Sequence, residues 1–265
     1  MSADEPLRGR PYPHDRLHPM HYLAEFIGTA ALVAGGLSFV ILFFGVGSPV
    51  VAALPDAGLR RGVTGLLFGS TGLVISLSAV GRTSGAHINP AMTLAFWLDG
   101  KIAWRDALAY ALAQFAGAAL GASVLPVWGS MGASIQFGAT QPNPNLPLLA
   151  PLLGEVGSTS AMVLVMFVMA AHPVTRKWVP FANPPLFAFL VWLEAPLSGT
   201  SVNPARSFGP ALVAGVTHHQ WIYAVGPCLG AALAVALSRS TGMEAHRPPE
   251  ARLAHFTTRP HGLNG

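Results

Sequence analysis

The sequence is poor in charged residues. Only 10% of its 265 residues are Asp, Glu, Lys or Arg, whereas 52% are hydrophobic and the mean hydropathy is +0.49. Soluble domains carry roughly a quarter charged residues, so this composition excludes a soluble globular protein. Residues 26–55, 62–81 and 107–154, among other stretches, contain no charged residue at all. Each is long enough for the ~20 apolar residues of a membrane-spanning helix, and we therefore expect an integral membrane protein.

Cysteine is almost absent as well. The single thiol, Cys228, excludes an internal disulfide and a cysteine metal site, and its apolar surroundings predict a packing role. His87 has no His, Cys or carboxylate partner at the spacing of metal ligands. The chain also lacks a recognisable nucleophile–base pair and a phosphate-binding loop. We therefore expect no enzyme, no catalytic residue, no cofactor and no metal.

The positive charges that are present sort by segment. Of the 15 Lys and Arg residues, twelve fall in segments predicted to share one side of the membrane, and only Arg60, Arg61 and Arg206 fall on the other. The positive-inside rule then places both termini in the cytoplasm, with the chain in the plasma (inner) membrane. This sorting argues against a nucleic-acid-binding surface, and no nucleic-acid partner is expected.

The apolar stretches predict six spans, at about residues 21–44, 62–81, 104–124, 151–171, 179–197 and 220–239. They form one membrane domain over 20–240, between tails at 1–19 and 241–265 that we expect to be disordered in the cytoplasm. Glu25 opens the first span and Glu155 the fourth, which divides the domain into repeats of about 20–127 and 150–240. Three spans per repeat is an odd number, so the second repeat must enter the membrane from the opposite side.

Each repeat contains the tripeptide Asn-Pro-Ala between its second and third spans, as Asn89-Pro90-Ala91 and Asn203-Pro204-Ala205. Asn is a favoured N-cap and Pro a favoured first residue of a helix. The ten residues from 89 to 98 would form about 15 Å of helix, half of a ~30 Å hydrocarbon core. The predicted fold is thus all-α, with six spans and two re-entrant half-helices whose N-termini meet near the midplane.

Several side chains then acquire predicted roles. If Asn89 and Asn203 cap their half-helices, their amide NH2 groups are free to donate into a pore. Arg206 would lie at membrane depth, where an arginine marks a pathway or gate. Glu25 and Glu155 are expected to support the broken loops by accepting backbone N–H groups. Glu194 is either at a pore mouth or paired with an arginine, and the sequence leaves both open.

Three phrases resemble the aquaporin or major intrinsic protein family over about residues 20–240. They are Ala24-Glu25-Phe26-Ile27-Gly28-Thr29, Ser84-Gly85-Ala86-His87-Ile88-Asn89-Pro90-Ala91-Met92-Thr93 and Thr200-Ser201-Val202-Asn203-Pro204-Ala205-Arg206-Ser207-Phe208-Gly209-Pro210-Ala211. The resemblance implies an hourglass fold in a lipid bilayer, one pore per subunit and a homotetramer. It also implies a passive pore for water or small neutral solutes, without a cofactor. The pore-lining backbone would come from Gly85, Ala86, His87, Gly199 and Ser201.

The family's selectivity filter uses four positions, which spacing from the motifs places at Gly69, Val191, Thr200 and Arg206. Gly69 with Val191 predicts a permissive filter that admits water and small uncharged solutes such as glycerol, urea or neutral metalloid acids. Phe68 is one residue away, and a small shift of the second span would restore a narrow filter. The alternatives are therefore a strictly water-selective channel and, from another class, a secondary transporter built on inverted repeats.

Overall fold

The structure, a computed structural model, describes residues 17–248 and 250–253. Over these ranges the chain consists of helices joined by turns and loops, with no β-strand. Its α-helices are α1 (Pro19–Phe44), α2 (Pro49–Ala53), α3 (Ala57–Leu77), α4 (Ala79–Ser84), α5 (Pro90–Leu98), α6 (Trp104–Ser123), α7 (Gly129–Ala133), α8 (Leu149–Ala171), α9 (Val179–Ser198), α10 (Pro204–Ala214) and α11 (Ile222–Ser240).

Six of the helices, α1, α3, α6, α8, α9 and α11, are 19 to 26 residues long. At 1.5 Å per residue they measure about 29 to 39 Å, enough for a hydrocarbon core of ~30 Å. The helices α1, α8 and α11 and the segment that begins with α6 are also apolar enough to cross a membrane. In contrast, α3 carries Arg60 and Arg61, and α9 carries Glu194 and three internal prolines. The prediction of an all-α membrane fold is confirmed.

The second span differs from its predicted position at 62–81. The side chain of Asp56 accepts a hydrogen bond from the backbone N–H of Leu59 at 2.6 Å, so it caps α3 at Ala57, five residues early. At the other end, Ser78 has an extended backbone and stops α3 after Leu77. Because polar caps at both ends determine the limits of this helix, the charge-free stretch alone did not predict them.

The two half-helices, α5 and α10, are 9 and 11 residues long, or about 14 and 16 Å. Neither is long enough to cross the membrane. Each begins with proline and has the motif asparagine at its N-cap. The structure thus has one half-helix in each repeat, after α3 in the first and after α9 in the second.

Within each repeat, small residues let the first and third spans pack closely. In the first repeat, a methyl group at Gly121 on α6 would lie 2.3 Å from the carbonyl oxygen of Ala30 on α1. In the second, a methyl group at Gly230 on α11 would lie 2.5 Å from the carbonyl oxygen of Val156 on α8. Such small-residue contacts are typical of helix packing in membranes.

The outer surface of the bundle is apolar. Leu112, Leu120, Leu153, Phe189 and Leu229 lie on five different turns of the spans and are all at least half exposed. A soluble protein rarely leaves so many large apolar side chains in water. Their exposure is that of an integral membrane protein, whose spans contact lipid or neighbouring subunits.

The predicted C-terminal tail is described over residues 241–248 and 250–253, and this part differs from the expectation of disorder. Arg247 forms a buried ion pair with Asp99 at the end of α5. Leu253 donates its backbone N–H to the carbonyl oxygen of Gly85 at 3.0 Å. These contacts fold the segment against the bundle. The rest of the two predicted tails, residues 1–16, 249 and 254–265, lies outside the described residues.

Candidate pore

The loops that precede the half-helices, residues 85–89 and 199–203, have the same backbone conformation. In each, the φ angle is positive at the glycine, at the next residue and at the residue before asparagine. The values are 94°, 58° and 43° at Gly85, Ala86 and Ile88, and 85°, 53° and 47° at Gly199, Thr200 and Val202. Positive φ is unfavourable for residues with a β-branched side chain, so these loops need support from outside.

That support comes from two fully buried carboxylates, Glu25 on α1 and Glu155 on α8. Glu25 accepts the backbone N–H groups of His87 and Ile88 at 3.0 and 2.6 Å. Glu155 accepts the N–H groups of the two corresponding residues of the second loop at 2.7 and 2.8 Å. Hydrogen bonds to an ionised acceptor are about twice as strong as neutral ones, so each carboxylate can hold its loop in the left-handed conformation.

The motif asparagines cap the half-helices and join the two loops. The side-chain oxygen of Asn89 accepts the N–H of Ala91 at 2.9 Å, and Asn203 caps α10 in the same way at 3.0 Å. The Nδ2 atom of Asn89 donates to the carbonyl oxygen of Val202 at 2.8 Å. In return, Nδ2 of Asn203 donates to the carbonyl oxygen of Ile88 at 2.9 Å.

This arrangement corrects one detail of the prediction for Asn89 and Asn203. We expected both hydrogens of each NH2 group to be available to a pore, but one of them links the two loops. Since an amide NH2 has two donors, one N–H remains on each asparagine. Both side chains line the cavity described next, so two donors from opposite repeats are directed to the same place.

Two cavities adjoin each other inside the bundle and share two lining residues. The wide cavity has a volume of about 270 Å³ and is lined by Val40, Phe44, Val191, Thr200 and Arg206, among others. The narrow cavity has a volume of about 50 Å³, and its walls include Leu32, Met92, Met166, Val179 and both motif asparagines. A cavity needs roughly 10–15 Å³ to hold one water, so the narrow cavity has room for water.

Phe68 on α3 and Phe187 on α9 line both cavities and therefore mark the boundary between them. Their rings are stacked, with centroids 5.8 Å apart and planes inclined by 6°. Phe187 was missed by the sequence analysis. It lies four residues before Val191 and so on the same face of α9, and this spacing was the signal that could have found it.

Gly69, the predicted filter residue, does not line either cavity. A methyl group at this position would lie 2.7 Å from the Cα atom of Pro184 and 2.9 Å from the carbonyl oxygen of Asn183. Gly69 thus permits α3 and α9 to approach each other. Because successive helical residues point about 100° apart, it is the neighbouring Phe68 that lines the cavities.

Arg206 is buried, and its guanidinium group is held at the wall of the wide cavity. Nη1 donates to the carbonyl oxygen of Gly138 at 3.1 Å, and the guanidinium carbon lies 5.9 Å from the centroid of Phe68. The loop that contains Gly138 is joined to α10 by a hydrogen bond of 2.7 Å between the hydroxyls of Thr140 and Ser207. A loop outside the two repeats therefore positions this cation.

The predicted pore-lining backbone positions divide between the two cavities. Ala86 and His87 line the narrow cavity, and Gly199 and Ser201 line the wide one. Gly85 lines neither and lies instead against the C-terminal segment. The proline and alanine of each motif are buried behind the asparagines, where they begin the half-helices.

Two buried tyrosines extend the symmetry and were also missed by the sequence analysis. The hydroxyl of Tyr110 on α6 donates to the carbonyl oxygen of Ser84 at 2.9 Å. The hydroxyl of Tyr223 on α11 donates to the carbonyl oxygen of Ser198 at 2.8 Å. Both serines immediately precede the glycine of a motif loop, so each tyrosine satisfies the end of the helix that leads into the loop.

Glu194 lies on α9 and is 3% exposed. Neither carboxylate oxygen makes a hydrogen bond of good geometry within the described residues, although Ser198 and Thr200 lie beside the carboxylate, and Glu194 lines neither cavity. A methyl group at Gly154 on α8 would lie 2.6 Å from one of these oxygens. Of the two possibilities left open, an ion pair with an arginine is not found in the described part of the chain. The same part contains no cluster of three side chains able to hold a metal ion.

Comparison with known proteins identifies the family. Residues 18–237 match the family model described as Major intrinsic protein. The chain is 32% identical to Aquaporin AqpM of Methanothermobacter marburgensis over 238 residues, which cover 80% of this chain and 93% of the relative. It is 33% identical to Glycerol uptake facilitator protein-like 6 of Lactiplantibacillus plantarum over 241 residues, which cover 84% and 98%.

The fold is also shared with a solved structure, the aquaglyceroporin from Plasmodium falciparum. The TM-score is 0.69 at 20% sequence identity, over 83% of this chain and 95% of the other. This likeness confirms the predicted hourglass of six spans and two half-helices, and the family match confirms the resemblance carried by the two motifs. The chain belongs to the major intrinsic protein family.

Proposed function

We propose that this protein is a passive channel for water and small uncharged solutes that excludes protons and other ions. The observation that carries the proposal is the meeting of two half-helix N-termini, capped by Asn89 and Asn203, at the wall of the narrow cavity. No chemical step and no cofactor is part of the proposal. The names of the relatives, which include aquaporins and a glycerol uptake facilitator, support the same class of substrate.

The exclusion of ions follows from charge. The N-terminus of a helix carries a partial positive charge of about half an elementary charge, and here two such ends act on one small volume. The free N–H groups of Asn89 and Asn203 can only donate, so a water molecule between them accepts twice. Hydronium has no favourable orientation at this point, and Arg206 adds a full positive charge in the wide cavity.

The selection of solutes follows from the shape of the boundary between the cavities. Phe68 and Phe187 give it two large apolar walls, and Val191 contributes no hydrogen-bonding group. Glycerol, which has a C–H side and a hydroxyl side, can pass such a wall with Arg206 as the donor on the other side, and urea is small and uncharged enough to follow. The second candidate, a channel for water alone, is supported by the presence of Phe68 at the boundary.

The test is osmotic light scattering with proteoliposomes. We expect fast shrinkage with an impermeant sugar, slower re-swelling with urea and glycerol, and no proton flux beyond that of empty liposomes. Phe68→Ala should raise glycerol flux relative to water flux because it removes one wall of the boundary. Phe189→Ala is the matched control and should leave this ratio unchanged, since Phe189 is exposed on the outer surface of α9 and lines neither cavity.

Different results would support other functions. Water flux without any re-swelling would favour the water-selective alternative. Water flux equal to that of empty liposomes would contradict the channel proposal. Solute flux that saturates and disappears when an ion gradient is collapsed would favour the secondary transporter.

The location and assembly belong to the same proposal. The distribution of Lys and Arg supports a plasma (inner) membrane protein with both termini in the cytoplasm, which would place the narrow cavity on the cytoplasmic side. The exposed apolar surface of the spans leaves room for a homotetramer in the bilayer. The mass of the detergent-solubilised protein, measured by light scattering after correction for bound detergent, tests the tetramer directly.

A further inference from the structure

The C-terminal residues 250–253, which we call the strap, lie at the narrow cavity. The side chain of Leu253 is part of the cavity wall, which also includes the apolar residues Met166, Val179 and Pro180. Leu253 and Ala251 pack against the apolar core that includes these helices. An apolar side chain from the strap therefore occupies the end of the proposed pathway opposite to the wide cavity.

The strap is held there by hydrogen bonds from its backbone and from the Arg252 side chain. The N–H of Leu253 donates to the carbonyl oxygen of Gly85 at 3.0 Å, and Nη1 of Arg252 donates to the carbonyl oxygen of Arg82 at 2.5 Å. Gly85 has a φ of 94°, and a methyl group on it would lie 2.5 Å from the carbonyl oxygen of Ala251. The first motif loop thus provides a surface onto which the strap fits at backbone distance.

His87 completes the binding surface. Its ring is 1% exposed and lies between the rings of Phe96 and Tyr110, with centroid distances of 4.6 and 5.0 Å. Nε2 lies 3.0 Å from the carbonyl oxygen of Ala251. A carbonyl can only accept, so Nε2 carries the hydrogen and Nδ1 accepts from the hydroxyl of Thr93 at 3.1 Å. With the strap in place, both ring nitrogens are satisfied by the protein itself.

A separate anchor keeps the strap close. Nε of Arg247 donates to the carboxylate of Asp99 at 2.9 Å, and a second guanidinium nitrogen bonds to the same carboxylate. The Arg247 guanidinium also bonds to the hydroxyl of Ser238 and lies 4.5 Å above the ring of Phe167. Such a bidentate, buried pair is a strong contact. Only two residues separate Arg247 from the first residue of the strap. The strap is therefore at high effective concentration near its binding surface.

We propose that the strap is an intramolecular ligand of the narrow cavity and closes the pore when it is docked. The surface that binds it consists of the carbonyl oxygens of Arg82 and Gly85, the ring of His87 and the apolar wall around Leu253. Opening requires only that the strap leaves, while the Arg247 anchor stays in place. This inference rests on the proposed function, since it assigns a state in which the same channel does not conduct.

Two truncations test closure by osmotic light scattering at matched protein density. A chain that ends after Pro248 lacks the strap but keeps Arg247, whereas a chain that ends after Leu253 keeps both and is the matched control. A strap docked in nine molecules of ten would lower water permeability about tenfold. We expect the shorter chain to exceed the full chain by that order, Leu253→Ala to lie between them, and the control to equal the full chain. Equal permeability of all four would overturn the proposal.

A second measurement does not depend on conduction. In a Cys228→Ala background, Leu253→Cys and Glu250→Cys are labelled with a water-soluble thiol reagent in nanodiscs, where both membrane faces are accessible. The Glu250 side chain is 60% exposed, so a cysteine at this position should react quickly. The cysteine at position 253 should react about tenfold more slowly if the strap is docked in nine molecules of ten. Equal rates would overturn the docked strap. If no variant conducted water but position 253 were protected, the proposed function would fail and the placement of the strap would stand.

Discussion

The two buried glutamates of the second repeat allow a direct test of how the motif loops are held. Glu155 accepts the backbone N–H groups of Ser201 and Val202 and the hydroxyl of Ser198 at 2.5 Å. Glu194 is 3% exposed, close to the 0% of Glu155, but its oxygens make no hydrogen bond of good geometry within the described residues. Glu155→Gln and Glu194→Gln therefore make the same chemical change at similarly buried positions. Only Glu155→Gln loses well-formed hydrogen bonds to the motif loop.

The expected difference can be estimated from the contacts of Glu155. A glutamine at this position keeps one oxygen and presents an NH2 group in place of the other. One backbone N–H of the loop is then opposed by a donor, and leaving it unsatisfied costs about 1–3 kcal/mol. The remaining bond loses its ionic acceptor, which removes about 1 kcal/mol more. Glu194→Gln loses no comparable hydrogen bonds to a motif loop, so Glu155→Gln should be less stable than Glu194→Gln by about 2–4 kcal/mol.

Cys228 provides the assay, since it is the single thiol of the chain and is only partly accessible on α11. A thiol-reactive fluorogenic dye reports its exposure while the detergent-solubilised protein is heated at a fixed rate. A difference of 2–4 kcal/mol corresponds to a shift of about 5–15 °C for a chain of this size. Because unfolding in detergent is irreversible, the comparison is made between variants at one heating rate. Glu194→Gln should unfold at or above the temperature of the unmodified chain.

Equal unfolding temperatures for Glu155→Gln and Glu194→Gln would refute the reasoning. They would mean that Glu155 is a neutral acid, which glutamine replaces with little loss, or that the loop does not depend on it. Water permeability provides an independent check. If the carboxylate holds the loop, Glu155→Gln should also lower water permeability, because this loop and the start of α10 place Thr200 and Arg206 at the wall of the wide cavity.

Two further predictions concern the scaffold. Gly121→Ala should lower the unfolding temperature because the added methyl would lie 2.3 Å from a carbonyl oxygen of α1, whereas Gly157→Ala on α8, with nothing within 4 Å, should leave it unchanged or raise it. The opposite order would contradict the packing of α6 on α1. Tyr223→Phe should lower the free energy of unfolding by about 1 kcal/mol, because it removes the hydrogen bond to Ser198, and should retain water permeability. A complete loss of permeability would show that the hydroxyl serves conduction.

Much of the fold could be predicted because its signals are local. The charge-free stretches predicted the spans, and the sequence Asn-Pro predicted a cap and the first turn of each half-helix, as found for Asn89 and Asn203. The matched positions of Glu25 and Glu155 predicted two equivalent repeats. The predicted limits of α3 were wrong by four or five residues because Asp56 and Ser78 determine them. Such caps act within a single turn, so the search for charge-free stretches of about twenty residues did not detect them.

The filter could not be predicted at the second span because it depends on the rotation of a helix. Spacing along the chain selected Gly69, whereas the structure turns Phe68 toward the cavities and Gly69 toward α9. That rotation is determined by the contact of Gly69 with Asn183 and Pro184, more than a hundred residues away. The strap was missed for the same reason, since its partners Gly85 and His87 are distant in sequence and its own residues have no recognisable pattern.

The two repeats also show which parts of the molecule are free to differ. The supporting contacts occur in pairs, with a carboxylate, a tyrosine hydroxyl and a left-handed loop in each half. The side chains that face the cavities do not, since the third residue after asparagine is Met92 at the narrow cavity and Arg206 at the wide one. Repetition therefore supplies a rigid meeting point for the two half-helices, because both halves need the same backbone. The proposed selectivity requires the opposite, with the cations Arg61 and Arg206 in the wide cavity and apolar side chains such as Met92 in the narrow one, and we assign it to the positions where the repeats have diverged.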